Sequence, residues 1–171
     1  RLKENPKHRQ IQVIKEYGKL PKDECYPAQL NQVFMNLLSN AIDACEQSLV
    51  SSHSSLVNNI PRVTNDSEQM FEKNPQIRIS TEINGDNQVV VRIADSGLGM
   101  TPEIQSKIFD PFFTTKAVGS GTGLGLSISY QIVKDKHGGE LKCYSEVGRG
   151  TEFAIELPIS QKVKAKKSVV S

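Results

Sequence analysis

Apolar residues recur along the chain with two different periods, and each period predicts a type of element. From residue 30 to residue 45 they return every three or four positions, which is the spacing of one buried helix face. Pro27 suits the first helical position, where a missing N–H group costs nothing. The pattern predicts a long helix from Pro27 with a buried stripe of Leu30, Val33, Phe34, Leu37, Leu38, Ala41 and Cys45.

Alternating apolar residues predict five short strands, at residues 10–17, 77–83, 89–94, 141–147 and 151–157. Asn84–Asn87 supply the turn between the second and third strands. Hairpins with interspersed helices indicate an α+β fold. We expect a two-layer α/β sandwich in which a mixed, mostly antiparallel sheet is covered by helices.

Two further helices are predicted from their ends. Thr101 has the character of an N-cap before Pro102 and Glu103, so a short helix should run to about Ile108. A glycine-rich loop at 119–125 should open the other helix, which ends in basic residues and is stopped by Gly138 and Gly139.

Charge and composition separate one domain from its flanks. The 171 residues carry a net charge of +2, yet residues 1–9 and 161–171 hold eight of the 21 basic side chains. We expect a linker remnant at 1–9, one domain at 10–160 with a flexible insertion at 47–76, and a disordered basic tail at 161–171. Residues 10–160 hold 13 basic and 18 acidic side chains, and this acidic balance argues against nucleic-acid binding. Because the chain begins with Arg1, we expect a piece of a longer protein.

No apolar run reaches the length of a membrane span, and no leader opens the chain. Cys25, Cys45 and Cys143 form no CxxC pair, which favours buried thiols in a reducing compartment. A cytoplasmic domain is expected, while attachment of the parent protein to a membrane stays open.

Polar residues form two candidate sites beside the apolar pattern. Asn36, Asn40 and Asp43 share one line of the long helix. This line is either a solvated face or a place where the amide oxygens of Asn36 and Asn40 ligate Mg²⁺. Asp95, followed by Gly97 and Gly99, ends a strand. This is either a turn or a carboxylate that accepts a hydrogen bond from the amine of adenine, with glycines that leave room for the ring.

Two loops add further candidates. Phe109–Lys116 holds three phenylalanines, which either fill the core or belong to a flap whose Lys116 binds a phosphate. Gly119–Leu126 contains four alternating glycines but lacks both the dinucleotide fingerprint and the Walker lysine. The loop opens a helix, and the unpaired N–H groups at a helix start favour an anion such as phosphate.

In this order and spacing, the clusters resemble the nucleotide-binding boxes of the GHKL ATPase/kinase superfamily, and most closely the ATP-binding catalytic domain of sensor histidine kinases. The boxes are QVFMNLLSNAIDA, DSGLGM, FDPFFTTK and GTGLGLSIS, and GRGTEF is similar to the closing segment. The resemblance implies a Bergerat-type fold, a Mg²⁺ ion on Asn36 and Asn40, catalytic roles for Asn36 and Lys116, and an ATP site. That site would comprise Asn40, Asp95, Gly97, Gly99, Phe109, Thr115, Lys116, Gly121, Thr122, Gly123, Leu124, Gly125, Leu126 and Thr151.

One position distinguishes kinase from hydrolase within the superfamily. Hydrolytic relatives carry a glutamate four residues before the magnesium-binding asparagine, whereas this chain has Asn36, which cannot accept a proton near neutral pH. Asp43 departs from the basic residue of many histidine kinases, so no phosphate contact is assigned to it. His8, His53 and His137 lack the sequence context of a phosphoacceptor.

The resemblance implies a histidine kinase whose acceptor histidine lies in a separate dimerisation domain. Its further partner would be the receiver domain of a response regulator, and the full-length parent would be a homodimer. The alternative is a noncatalytic module that senses nucleotide or docks a partner.

Overall fold

Five strands form one mixed sheet in the computed structural model, which describes residues 10–57, 74–117 and 121–159, with the backbone alone at 51–57. The strand order is β1-β2-β3-β5-β4, and only the β1–β2 pair is parallel among these strands. This arrangement confirms the predicted α+β class. The strands are β1 (Gln12–Tyr17), β2 (Gln76–Ile83), β3 (Gln88–Asp95), β4 (Glu140–Glu146) and β5 (Gly150–Pro158).

Helices pack against one face of the sheet. They are α1 (Pro27–Val57), α2 (Pro102–Gln105) and α3 (Gly125–Gln131), and α3 continues into a π-helical turn at Ile132–Lys136. Thr101 caps α2 as predicted, because its hydroxyl accepts the N–H of Ile104 at 3.4 Å. The helix ends earlier than expected, and hydrogen-bonded turns continue the chain to Asp110.

The core lies between α1 and the sheet. On α1, Val33, Leu37, Ala41 and Cys45 follow one another at four-residue spacing, and each is buried. The sheet contributes inward residues from alternating strand positions, namely Ile77, Ile93, Phe153 and Ile155. Complete burial of a side chain such as Leu37 contributes about 1.5–3 kcal/mol. The helical and strand periods therefore meet in one core, as the pattern predicts.

The opposite face of the sheet carries charged side chains. Arg92 bonds Glu82 and Glu152, both at 3.1 Å, across three neighbouring strands. Burial alone would lower the pKa of Arg92, but the two carboxylates outweigh it and raise that pKa. Ala154, the cross-strand partner of Arg92, is fully buried beneath this charged layer. The sheet thus has one helix-covered face and one charged face, which makes a two-layer sandwich.

The predicted insertion at 47–76 begins too early. Residues 47–57 are helical and extend α1 to Val57, and Gln76 already belongs to β2. An established helix gains a hydrogen bond with each added residue, so weak helix formers can prolong it. The Ser48 hydroxyl also donates to the Cys45 carbonyl oxygen at 2.7 Å. Residues 58–73, the linker remnant and the basic tail lie outside the described residues.

Two other sequence expectations concern the thiols and membranes. Burial is confirmed for Cys45 and wrong for Cys25, which is exposed ahead of α1, while Cys143 is half-buried. In the described part of the chain, no helix has the length and apolar character needed to cross a membrane.

Candidate functional site

A cavity of about 460 Å³ opens between α1, the loop after β3 and the segment leading into α3. Its walls bring together most of the predicted site residues although they are far apart in sequence. They are Asn36, Asn40, Asp95, Gly99, Thr115, Lys116, Gly121, Thr122, Gly123, Gly125, Leu126 and Thr151. The apolar wall includes residues that the sequence analysis did not select, namely Leu98, Met100, Ile104, Ile108, Phe113 and Phe153.

Three predicted site residues do not line the cavity: Gly97, Phe109 and Leu124. Phe109 instead packs on Tyr130 of α3, with ring centroids 5.2 Å apart. Leu124 is the N-cap residue of α3. Phe109 and Phe113 pack against the core, whereas Phe112 is 74% exposed. Phe109 therefore fits the core-filling interpretation, whereas Phe113 contacts both the core and the cavity, and the flap stays a prediction.

Gly97 and Gly99 are explained by packing within the protein. A Cβ atom on Gly97 would lie 2.7 Å from the Cβ of Ala44 and 2.9 Å from its carbonyl carbon on α1. Gly99 has a φ of +69°, and a Cβ there would collide with the Glu146 carbonyl. Clearance for a bound ring remains a prediction.

Asp95 ends β3 and presents its carboxylate at the cavity. The Gly97 N–H donates to Asp95 Oδ1 at 2.8 Å, and the Thr151 backbone N–H also stabilises the carboxylate. Burial nevertheless raises the pKa of Asp95, because desolvation outweighs these two hydrogen bonds. The result is a fixed acceptor in a half-buried environment, suited to a polar group of a ligand.

Ser145 supports this end of the cavity, and the sequence analysis missed it. Ser145 Oγ and Thr151 Oγ1 are hydrogen-bonded at 2.9 Å. Ser145 Oγ also accepts the Met100 N–H at 2.9 Å. The strand pair β4–β5 thereby holds the loop that follows Asp95. A single serine at an alternating strand position carries no distinctive pattern, so the sequence offered no way to find it.

Asn36 and Asn40 lie one turn apart on α1 and both line the cavity. Asn36 Nδ2 donates to the Gly125 carbonyl oxygen at 3.0 Å and to Ser129 Oγ at 3.1 Å, which joins α1 to α3. These bonds engage the amino group and leave the amide oxygen for another ligand. Two amide side chains one turn apart at the cavity could offer their oxygens to a hard cation such as Mg²⁺. The hydrogen bonds of Asn36 show that this end of the helix line is packed against α3, whereas the Mg²⁺ site stays a prediction.

Lys116 crosses from the loop to α1. Its ammonium group forms an ion pair with the Asp43 carboxylate. A Cβ atom built on Gly121 would lie 3.1 Å from Lys116 Cδ, so the aliphatic stem runs beside the glycine-rich segment. The sequence analysis assigned Lys116 to a phosphate and gave Asp43 no role. The structure shows the two side chains as partners.

Comparison with known proteins agrees with this geometry. The family model described as "Histidine kinase-, DNA gyrase B-, and HSP90-like ATPase" matches residues 25–161. Sporulation kinase E of Bacillus subtilis (strain 168) is 33% identical over 149 residues, which are 87% of this chain and 16% of that protein. The signal transduction histidine-protein kinase AtoS of Escherichia coli (strain K12) is 37% identical over 131 residues, 77% of this chain and 17% of that protein. The chain thus spans about a sixth of the length of these curated relatives.

A solved structure gives the same result for the fold. The catalytic domain of histidine kinase ThkA superposes with a TM-score of 0.63 and 30% identity, over 88% of this chain and 80% of that one. The family match includes every residue that lines the cavity. The chain therefore belongs to the histidine kinase-, DNA gyrase B- and HSP90-like ATPase family, as an ATP-binding catalytic domain of the sensor histidine kinase type.

Proposed function

We propose that this domain binds Mg·ATP in the cavity and donates the γ-phosphoryl group to a histidine in a separate dimerisation domain of the same kinase. The phosphoryl group then passes to the receiver domain of a response regulator, and the full-length kinase acts as a homodimer. One observation carries the proposal: a single cavity joins the Asp95 carboxylate to the glycine-rich entrance of α3.

The adenine ring occupies the end of the cavity at Asp95. The carboxylate accepts a hydrogen bond from the exocyclic amine of adenine, and Thr151 and Gly99 border this end. Guanine carries a carbonyl group at the corresponding ring position, so it offers an acceptor where the carboxylate requires a donor. Met100 and Ile104 supply apolar contacts for the flat ring.

The phosphates occupy the other end, at Gly121–Leu126. The unpaired N–H groups at a helix start favour an anion, and small residues let it approach the backbone. Asn36 and Asn40 hold Mg²⁺ through their amide oxygens. When bound there, the ion supplies neutralisation of phosphate charge. Lys116, together with Thr115 and Thr122, lies beside the same end of the cavity.

Transfer to an imidazole suits this site better than hydrolysis. A neutral histidine nitrogen attacks the γ-phosphorus atom, the bond to the β–γ bridging oxygen breaks, and ADP leaves. The imidazole needs no general base for this attack, whereas water does. Asn36 stands where hydrolytic relatives carry a glutamate, and its amide cannot accept a proton near neutral pH. Catalysis then consists of positioning and charge neutralisation.

Substitution of Asp95→Asn tests the adenine contact. An amide keeps the size of the side chain but loses the charge-assisted acceptor, so affinity for a nonhydrolysable ATP analogue should fall at least about tenfold. Titration calorimetry measures the change. Asp86→Asn, in the exposed β2–β3 turn, is the matched control and should bind like the wild type. An affinity of Asp95→Asn close to that of the wild type would reject the assignment.

Phosphoryl transfer needs a second experiment. The domain is mixed with the helical-hairpin domain of its parent kinase and with γ-labelled ATP. Acid-labile label on the hairpin supports the kinase, because phosphohistidine is hydrolysed by acid. Stable nucleotide binding without transfer to this hairpin would favour the noncatalytic binding module instead.

A further inference from the structure

The Asp43–Lys116 ion pair connects two walls of the cavity. Asp43 belongs to α1, one turn beyond Asn40, and Lys116 belongs to the loop before α3. Both residues line the cavity, and their side chains are 36% and 29% exposed. The pair therefore lies within the nucleotide site and is not an ordinary surface contact.

The course of the Lys116 side chain indicates what the pair does. Its stem passes Gly121 on the glycine-rich wall, and its ammonium group ends at Asp43 on the α1 wall. A phosphate that contacts both the loop amides and the Asn40 side must enter between these walls. Lys116 spans that gap.

We propose that Asp43 holds Lys116 across the phosphate end of the cavity, and that a terminal phosphate binds by replacing Asp43 at the ammonium group. The inference rests on the proposed function. A terminal phosphate carries more negative charge than one carboxylate, so the exchange favours the nucleotide. The ion pair must open before the phosphate binds. The free energy needed to open it reduces the observed binding free energy of the nucleotide.

The size of this effect follows from the exposure of the pair. Ion pairs of comparable exposure contribute modestly, which corresponds to about a two- to fivefold change in affinity. Asp43 is then a residue that sets nucleotide affinity without taking part in the chemistry. This role also explains an acidic side chain at a phosphate-binding site, since Lys116 neutralises it until nucleotide arrives.

A double-mutant cycle tests the exchange. Titration calorimetry with Mg²⁺ and a nonhydrolysable ATP analogue compares the wild type with Asp43→Asn, Lys116→Met and the double variant. Asp43→Asn should tighten binding about two- to fivefold in the wild-type background, and less in the Lys116→Met background, where no pair has to open. Glu46→Gln removes the same charge from an exposed position one turn along α1 and should leave affinity unchanged.

Two outcomes of the cycle would overturn the inference. Equal tightening in both backgrounds would mean that Asp43 acts by simple repulsion of the phosphates. Weaker binding of Asp43→Asn in the wild-type background would mean that Asp43 orients Lys116 towards the phosphate.

Hydrogen exchange of the nucleotide-free protein separates this inference from the proposed function. The amides of residues 113–117 should exchange faster in Asp43→Asn than in the wild type, because the loop loses its tie to α1. Equal rates would overturn the inference and leave the proposed function intact. A wild-type protein that binds no nucleotide would instead contradict the proposed function, while faster exchange in Asp43→Asn would still show that Asp43 ties the loop to α1.

Discussion

At the scale of single residues, Asp95 combines its proposed role in adenine binding with a cost to the folded protein. Burial raises its pKa above the ordinary value of 3.8, so the folded state holds this proton more tightly than the unfolded state. The protonated carboxyl group of Asp95 therefore stabilises the folded state relative to the charged form. This stabilisation is lost as pH rises through the pKa that Asp95 has in the folded protein. A functional carboxylate here opposes folding near neutral pH.

Asp95→Asn should consequently unfold at a higher urea concentration than the wild type at pH 7, although its affinity for nucleotide is expected to be lower. The advantage should shrink as pH falls through the raised pKa of the folded state and be smallest well below 3.8, where the wild-type carboxyl group is protonated in both states. Urea unfolding followed by circular dichroism over this pH range measures both effects. A variant less stable than the wild type at pH 7 would show that the lost hydrogen bonds matter more than desolvation.

Gly97 permits a close approach between the loop after β3 and α1. Gly97→Ala should destabilise the fold by about 1–3 kcal/mol, the usual cost of overpacking, because its Cβ would lie 2.9 Å from the Ala44 backbone carbon. Gly85→Ala is the matched control, since nothing lies within 4 Å of its Cβ position. Chemical unfolding compares the two variants. Similar stabilities would contradict the packing explanation.

At the scale of elements, α1 and the helical segment that begins with α3 are joined at two places. Asn36 bonds α3 at Gly125 and Ser129. Beyond the other end of that segment, His137 Nε2 accepts the Tyr26 N–H at 3.1 Å, and its Nδ1 lies 3.0 Å from the Ile132 carbonyl oxygen. Tyr26 immediately precedes α1, so His137 does for this backbone N–H what a glutamate does in a capping box.

His137→Ala should lower the free energy of unfolding by about 1–2 kcal/mol, because it removes this cap and the ring contact with Tyr26. The two rings meet edge to face with centroids 5.4 Å apart. His137→Phe keeps an aromatic ring but lacks both nitrogens, so it should recover only part of the loss. Urea unfolding measures all three proteins. Wild-type stability of His137→Phe would show that the ring contact alone matters.

At the scale of the whole molecule, the cavity is built from segments that are distant in sequence, so nucleotide should stabilise the domain globally. A ligand that binds only the folded state at one hundred times its Kd adds about 2.7 kcal/mol. Thermal unfolding with Mg²⁺ and a nonhydrolysable ATP analogue should show a concentration-dependent rise in Tm. The same ligand should leave the Tm of Asp95→Asn almost unchanged, and an equal rise in both proteins would place the ligand elsewhere.

The sequence by itself determined the elements and the composition of the site. The stripe through Val33 and Leu37 predicts α1, and alternation through Ile77 and Ile93 predicts the strands, since burial of one face imposes its period on the sequence. Asp95 and the glycine-rich loop were identifiable as candidates because a carboxylate at a strand end and four alternating glycines are unusual local patterns. The extent of α1 was not, because Ser-rich residues 47–57 have no marked preference and follow the helix already formed.

Only the tertiary structure decided which of these residues meet. Ser145 supports Thr151 through a pairing of β4 with β5. Gly97 is required by Ala44, and Phe109 packs on Tyr130 rather than lining the cavity. Lys116 lies against Asp43, 73 positions earlier in the chain. Charge, packing and close approach act through space between distant segments, so no local pattern could have shown these partnerships.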